Sequence, residues 1–214
     1  MDNAAIFSHV DHTLLRPDAA WSEINTLCGQ AAGYGAASAC LPPAYVARAR
    51  QAYPKLPITT VVGFPLGYST SGAKVFEAAQ AVDQGATEID MVINLGDVKN
   101  QAFHRVLAEI SAVKKAVQGR VLKVIVETGY LEQAEKIRLC QILEAGGADY
   151  LKTATGFGPG GADLADVALF RKLLPPQIKI KAAGGIRSRA AMLAFLEAGA
   201  ERIGSSAAMT ALFS

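Results

Sequence analysis

Short apolar runs alternate with longer segments of helical periodicity along the whole chain. ITTVVGF at 58–64 and VLKVIVE at 121–127 are rich in Val and Ile and read as buried strands. Between such runs lie amphipathic stretches. The clearest covers residues 97–119, where Val98, Phe103, Val106, Leu107, Ile110 and Val113 form one stripe; this predicts a helix capped by Asp97 and ended by Gly119. Asp163 and Ser188 are expected to cap two later helices in the same way. Helix-like segments repeatedly end in glycine, then alanine, then an apolar run, at Gly35, Gly85, Gly147 and Gly199. Glycine just past a helix can take the left-handed conformation that stops it.

Completing the pattern yields eight strand candidates, near 9–13, 36–41, 58–63, 87–93, 121–127, 149–153, 178–183 and 201–204. Strict alternation of strand and helix implies an α/β fold with a parallel sheet and helices outside it. Eight repeats favour closure into a (β/α)8 TIM barrel, whereas six or fewer would suit an open sheet. No linker or charge block interrupts residues 1–214, so one barrel domain is expected.

In such barrels the reactive groups sit at the carboxyl ends of strands. A charge inside an apolar strand is costly unless paired or functional, and four stand out: Asp90, Lys123, Lys152 and Lys181. A buried lysine is easier to deprotonate, more so beside a second ammonium, and a neutral amine can attack a carbonyl to form an imine. Lys152 and Lys181, on neighbouring strands, suit that chemistry. The alternative is that each lysine lies outward, its stem over apolar surface and its head in water. Lys179 serves as a control, since one of Lys179 and Lys181 is expected to face away from the cavity. Asp90 is either a proton-transfer partner or a neutralising ion pair, and both readings put it beside the lysines.

GGIRS at 184–188 and GSSAAM at 204–209 follow strands seven and eight, where barrels often hold phosphate. Gly184, Gly185, Gly204 and Ser206 are therefore expected to bind an anion, with Arg187 adding charge. Asp11 and Thr13, ending strand one, either touch substrate hydroxyls or cap a turn, and Cys40 ends strand two beside the pocket or is an inert buried thiol. GFGPGG at 156–161 matches a dinucleotide fingerprint, but no acidic residue ends the next strand, so it reads as a mobile loop beside Lys152.

Composition narrows the classes. The net charge is +2 with Lys and Arg scattered, which argues against a nucleic-acid partner. No apolar stretch is long enough for a membrane span, and the first residues do not read as a secretory signal. Three widely spaced cysteines fit neither a disulfide framework nor a zinc site, and the histidines lack metal-ligand spacing; a cytoplasmic protein without a metal is expected.

VDHTLL (10–15), GFPLG (63–67), EIDMVINLG (88–96), LKVIVETGYL (122–131), DYLKTATGF (149–157), IKAAGGIR (180–187) and RIGSS (202–206) together resemble the deoxyribose-phosphate aldolase family. The resemblance runs in order through nearly the whole chain. It implies a (β/α)8 barrel that reversibly cleaves 2-deoxy-D-ribose 5-phosphate to acetaldehyde and D-glyceraldehyde 3-phosphate, with no cofactor and often as a homodimer. It further implies Lys152 as the Schiff-base lysine, Lys181 as the neighbour that perturbs it, Asp90 as the acid/base and Lys123 as a lysine near the sugar. Thr153 falls among the substrate-binding positions, and Gly184, Gly185 and Ser206 fall in the phosphate loops. Ala154 stands where the family commonly has serine. Many members also end in a tyrosine that assists proton transfer; the chain as given ends ALFS, which leads us to expect slower proton exchange at the donor carbon. Another Schiff-base barrel aldolase with a different carbonyl donor is the competing expectation, and a non-catalytic phosphate-binding barrel a more distant one.

Overall fold

The computed structural model describes residues 1–213. Eight parallel strands close on themselves in sequence order. A short helix α1 (Asn3–Phe7) precedes β1 (Val10–Thr13), and then the repeat begins: α2 (Trp21–Tyr34), β2 (Ser38–Cys40), α3 (Val46–Ala52), β3 (Ile58–Val62), α4 (Ser71–Asp83) and β4 (Glu88–Val92). Two helices, α5 (Leu95–Lys99) and α6 (Phe103–Ala116), lead to β5 (Val121–Ile125). After them come α7 (Gln133–Gly146), β6 (Tyr150–Lys152), α8 (Leu164–Leu173), β7 (Lys179–Ala183), α9 (Arg189–Glu197), β8 (Arg202–Ser205) and α10 (Ala208–Phe213).

All eight expected strands are present. The glycine marks also do the expected work: Gly35 and Gly147 end α2 and α7 with φ of 74° and 76°. Asp163 accepts from the backbone of Ala165 and Asp166, and Ser188 from that of Ala191, capping α8 and α9.

The helix expected over 97–119 is two helices. Asn94 caps the first by accepting from the Gly96 N–H at 3.0 Å, and Asp97 lies inside that helix's first turn. The chain turns where Gln101 takes φ of 55° and the Ala102 N–H reaches back to the Asp97 carbonyl. No Gly or Pro marks this break, so the apolar period runs across it undisturbed.

Strand alternation divides the side chains in two. Ile89 and Met91, Leu122 and Val124, Leu151, and Ile180 and Ala182 point out to the helices. There they join Ile24, Val106, Ile110, Leu139, Leu143, Phe170 and Met192 in the apolar core. Fully burying one such side chain stabilises the fold by roughly 1.5–3 kcal/mol, and this shell carries the stability. The barrel interior is different, being filled with charge.

A buried ion pair lies in the helical layer. Lys74 on α4 is fully buried and its Nζ donates to Glu109 on α6 and to the Val92 carbonyl, both at 2.8 Å. The other oxygen of Glu109 accepts from the Asn94 N–H at 3.2 Å. Two helices are thereby pinned to the carboxyl end of β4, the strand that carries Asp90.

Candidate active site

Strand register sets which inward side chains meet. Asp90 lies opposite Lys123, Lys152 opposite Lys181, Lys181 opposite Arg202, and Asp11 opposite Ser38 and Gly204. The Asp90 carboxylate is the centre. Its Oδ1 accepts from Lys123 Nζ at 2.9 Å, and its Oδ2 accepts from both Lys152 at 2.9 Å and Lys181 at 2.7 Å. Lys181 also donates to Asp11 Oδ2 at 2.5 Å. Beneath this layer Lys123 contacts Glu88 at 2.5 Å, and Arg202 bridges Glu88 and Asp11. Four cations and three carboxylates thus form one connected set.

These groups do not titrate alike. Burial favours an uncharged Lys152, Asp90 opposes this, and the Lys181 ammonium adds to it; the balance leaves Lys152 less basic than an ordinary lysine. Burial acts on Lys181 in the same sense, but Asp11 and Asp90 outweigh it and Lys181 is held protonated. Burial would raise the Asp90 carboxyl, yet Lys123, Lys152 and Lys181 together hold it well below the usual range. Asp11 is lowered likewise, with Lys181, Lys123 and Arg202 outweighing burial.

A cavity of about 630 Å³ opens at the carboxyl end of the barrel. Among these seven ionisable groups only Lys152 lines it. The Lys152 ammonium position lies 6.0 Å from the Phe64 ring centroid, and Phe64 meets Phe157 edge-to-face at 5.4 Å, so aromatic surface flanks the amine. Thr13, Gly184, Gly185, Arg187, Gly204 and Ser206 also line it.

Several expectations change at this point. Lys123 does not line the cavity; it is fully buried below Asp90, because its strand position is one layer deeper than that of Lys152. Asp11, Thr153 and Cys40 do not line it either. Asp11 is enclosed by Lys181, Arg202 and the Ser38 hydroxyl. The Thr153 hydroxyl donates to the Ala183 carbonyl and accepts from the Ala183 N–H, lacing β6 to β7. Cys40 is buried, and that burial raises its thiol.

Gly204 belongs to β8 rather than to a turn. A Cβ there would sit 2.9 Å from Ala183 Cβ and 3.1 Å from Lys181 Cε, so its bareness makes room for Lys181. The 156–161 loop is mostly exposed, and its end packs closely: a Cβ on Gly161 would lie 2.4 Å from the Gly184 carbonyl oxygen, and the Ala162 N–H donates to that same oxygen at 3.0 Å. Lys179 and Lys181, two residues apart, share a face. Lys179 is exposed because it starts β7 at the barrel's amino-terminal mouth, 5.8 Å from the Tyr150 ring.

Glu88 and Arg202 were not expected. Glu88 stands two residues before Asp90 on the same strand face, so alternation carried the signal. Arg202, which begins its strand, carried none.

The geometry accords with the comparisons to known proteins. The DeoC/LacD family aldolase model matches residues 6–210. The deoxyribose-phosphate aldolase of Clostridium botulinum (strain Alaska E43 / Type E3) is 50% identical over 210 residues, covering 98% of this chain and 95% of that protein. Among solved structures, QR15, an aldolase, superposes with a TM-score of 0.92 at 36% identity, covering 95% of this chain and 92% of the other. The tetrameric deoxyribose phosphate aldolase from Aeropyrum pernix gives 0.92 at 32% identity, covering 99% and 91%. A family match across almost the whole chain, joined to a half-identical relative, places this chain in the DeoC/LacD aldolase family.

Proposed function

We propose that the protein is a deoxyribose-phosphate aldolase, reversibly cleaving 2-deoxy-D-ribose 5-phosphate through an imine on Lys152. The observation that carries this reading is that one amine of the buried cluster faces the cavity, and it is the one whose surroundings favour the neutral form. Lys152 Nζ adds to the C1 aldehyde of the open-chain sugar. Asp90, ionised and 2.9 Å from that nitrogen, accepts the amine proton, and loss of water leaves a cationic imine. Removal of the C3 hydroxyl proton then breaks the C2–C3 bond. Its electron pair becomes the enamine double bond, and C3 departs as the aldehyde carbon of glyceraldehyde 3-phosphate. Protonation of C2 and hydrolysis return acetaldehyde and the free amine.

Lys123 acts from below, fixing Asp90 rather than touching the sugar. Lys181 keeps a positive charge beside the amine. The sugar phosphate is assigned to Gly184, Gly185 and Ser206 in the cavity lining, with Arg187 adding charge; anchoring that end orients the reacting carbon. The whole chain is read as one barrel domain. No helix of the described residues is long and apolar enough to cross a membrane. Cytoplasmic placement is supported by three buried, unpaired cysteines, and a homodimer is the assembly proposed.

Borohydride reduction tests the reading. Acetaldehyde should give a mass increase on the peptide containing Lys152, and Lys152→Met should abolish it. Trapping only with pyruvate or dihydroxyacetone would assign a different donor, and no adduct with any carbonyl would reject the imine.

A further inference from the structure

The barrel interior holds an odd number of charges. Asp11, Glu88 and Asp90 supply three carboxylates, against Lys123, Lys181, Arg202 and Lys152, all joined by contacts of 3.6 Å or less. With Lys152 neutral the set sums to zero; with Lys152 protonated it carries one uncompensated positive charge in a buried site. Glu88 and Arg202 enter that sum without touching either the cavity or Lys152. They sit one layer down, where Arg202 donates to Glu88 Oε2 at 2.9 Å and lies 5.5 Å from the Tyr150 ring. From Glu88 the connection to the amine runs through Lys123 and Asp90.

We infer that Glu88 and Arg202 are positioning residues for the aldol reaction: as a balanced pair at the amino-terminal layer they set whether Lys152 carries a proton. The inference rests on the reading of Lys152 as the imine-forming amine. Lys152 is faced by Asp90 on β4, Lys181 on β7 and Cys40 on β2, with Asp11 and Lys123 behind them. The deeper pair can be altered without substituting any of these groups, although Lys123 then loses its Glu88 partner or Asp11 its Arg202 partner. Neutralising Glu88 leaves an excess of positive charge and drives the proton off Lys152. Neutralising Arg202 leaves an excess of negative charge and draws a proton on. A unit charge acting over ~10 Å at an effective dielectric of about 20 shifts a titration by roughly one unit.

The test is the acid limb of kcat/KM for 2-deoxyribose 5-phosphate, alongside borohydride trapping with acetaldehyde across the same pH range. Glu88→Gln should move the limb about one pH unit down, and Arg202→Gln about one unit up. The double variant should return it to the wild-type position. Glu88→Asp and Arg202→Lys keep the charges and should leave it unmoved. A merely structural role would lower activity without opposite shifts, and limbs that stay put or move the same way overturn the inference. Should Arg202→Gln fail to fold, Glu88→Gln against Glu88→Asp decides alone. Absence of a Lys152 adduct in the wild-type protein at every pH would instead overturn the underlying assignment, so the two failures are distinct.

Discussion

Replacing Lys181 by Met removes the cation nearest the reacting amine. Lys152 and Lys181 both donate to the same oxygen of Asp90, at 2.9 and 2.7 Å. Their nitrogens are therefore within roughly 6 Å of each other, where two unit charges at an effective dielectric of about 20 repel by about 3 kcal/mol. Since 1.36 kcal/mol is one pKa unit, this corresponds to about two units. Without Lys181, Asp90 and Asp11 retain their carboxylates and Lys152 becomes the nearest site for a compensating proton. The acid limb of kcat/KM should then rise by about two pH units. Below both limbs the variant should be about 100-fold slower than the wild type, and the gap should close as pH rises. The assay couples glyceraldehyde 3-phosphate formation to a dehydrogenase whose own pH dependence is measured separately. A loss of the same size at every pH would refute the reasoning, because Lys181 would then be acting as a proton donor or substrate ligand rather than through its charge.

Other consequences follow from the same contacts. Lys74→Met strands the buried Glu109 carboxylate and should cost about 3–5 kcal/mol, read as a lower urea midpoint; adding Glu109→Gln should recover a large part of it. Gly204→Ala sets a Cβ 2.9 Å from Ala183 Cβ and 3.1 Å from Lys181 Cε, so kcat should fall about tenfold and stability by about 1–3 kcal/mol, measured by kinetics and melting. Lys152→Met should abolish activity yet raise the melting temperature at neutral pH. The folded-state basicity of Lys152 is depressed, so the unfolded chain binds the extra proton and the wild type is handicapped below the pKa of a free lysine. That advantage of the variant should shrink as pH rises toward about 10.4.

Most of the architecture could be read along the chain because period and punctuation are local properties. Runs such as ITTVVGF, the glycines at 35 and 147, and the caps at Asp163 and Ser188 depend on neighbours a few residues away, and all appear where expected. The break between α5 and α6 escaped because Gln101 adopts its left-handed turn without a glycine to announce it. Lys74 and Glu109 escaped because, within their own helices, each looks like an ordinary surface charge; only the packing of α4 on α6 brings them together.

At the site the division is similar. Four charged residues inside apolar strands marked themselves out, since burying a charge is costly wherever the strand lies. Their depth did not show. Barrel register places Lys152 at the cavity wall and Lys123 a layer beneath it, and it is closure of the sheet that carries Arg202 on the last strand to Asp11 on the first. Residue types along a strand specify which face a side chain takes, because alternation is a property of the backbone alone. Which of those side chains meets water, which meets another charge, and which amine is left uncharged depend on distances across the barrel, and these exist only once all eight strands have closed.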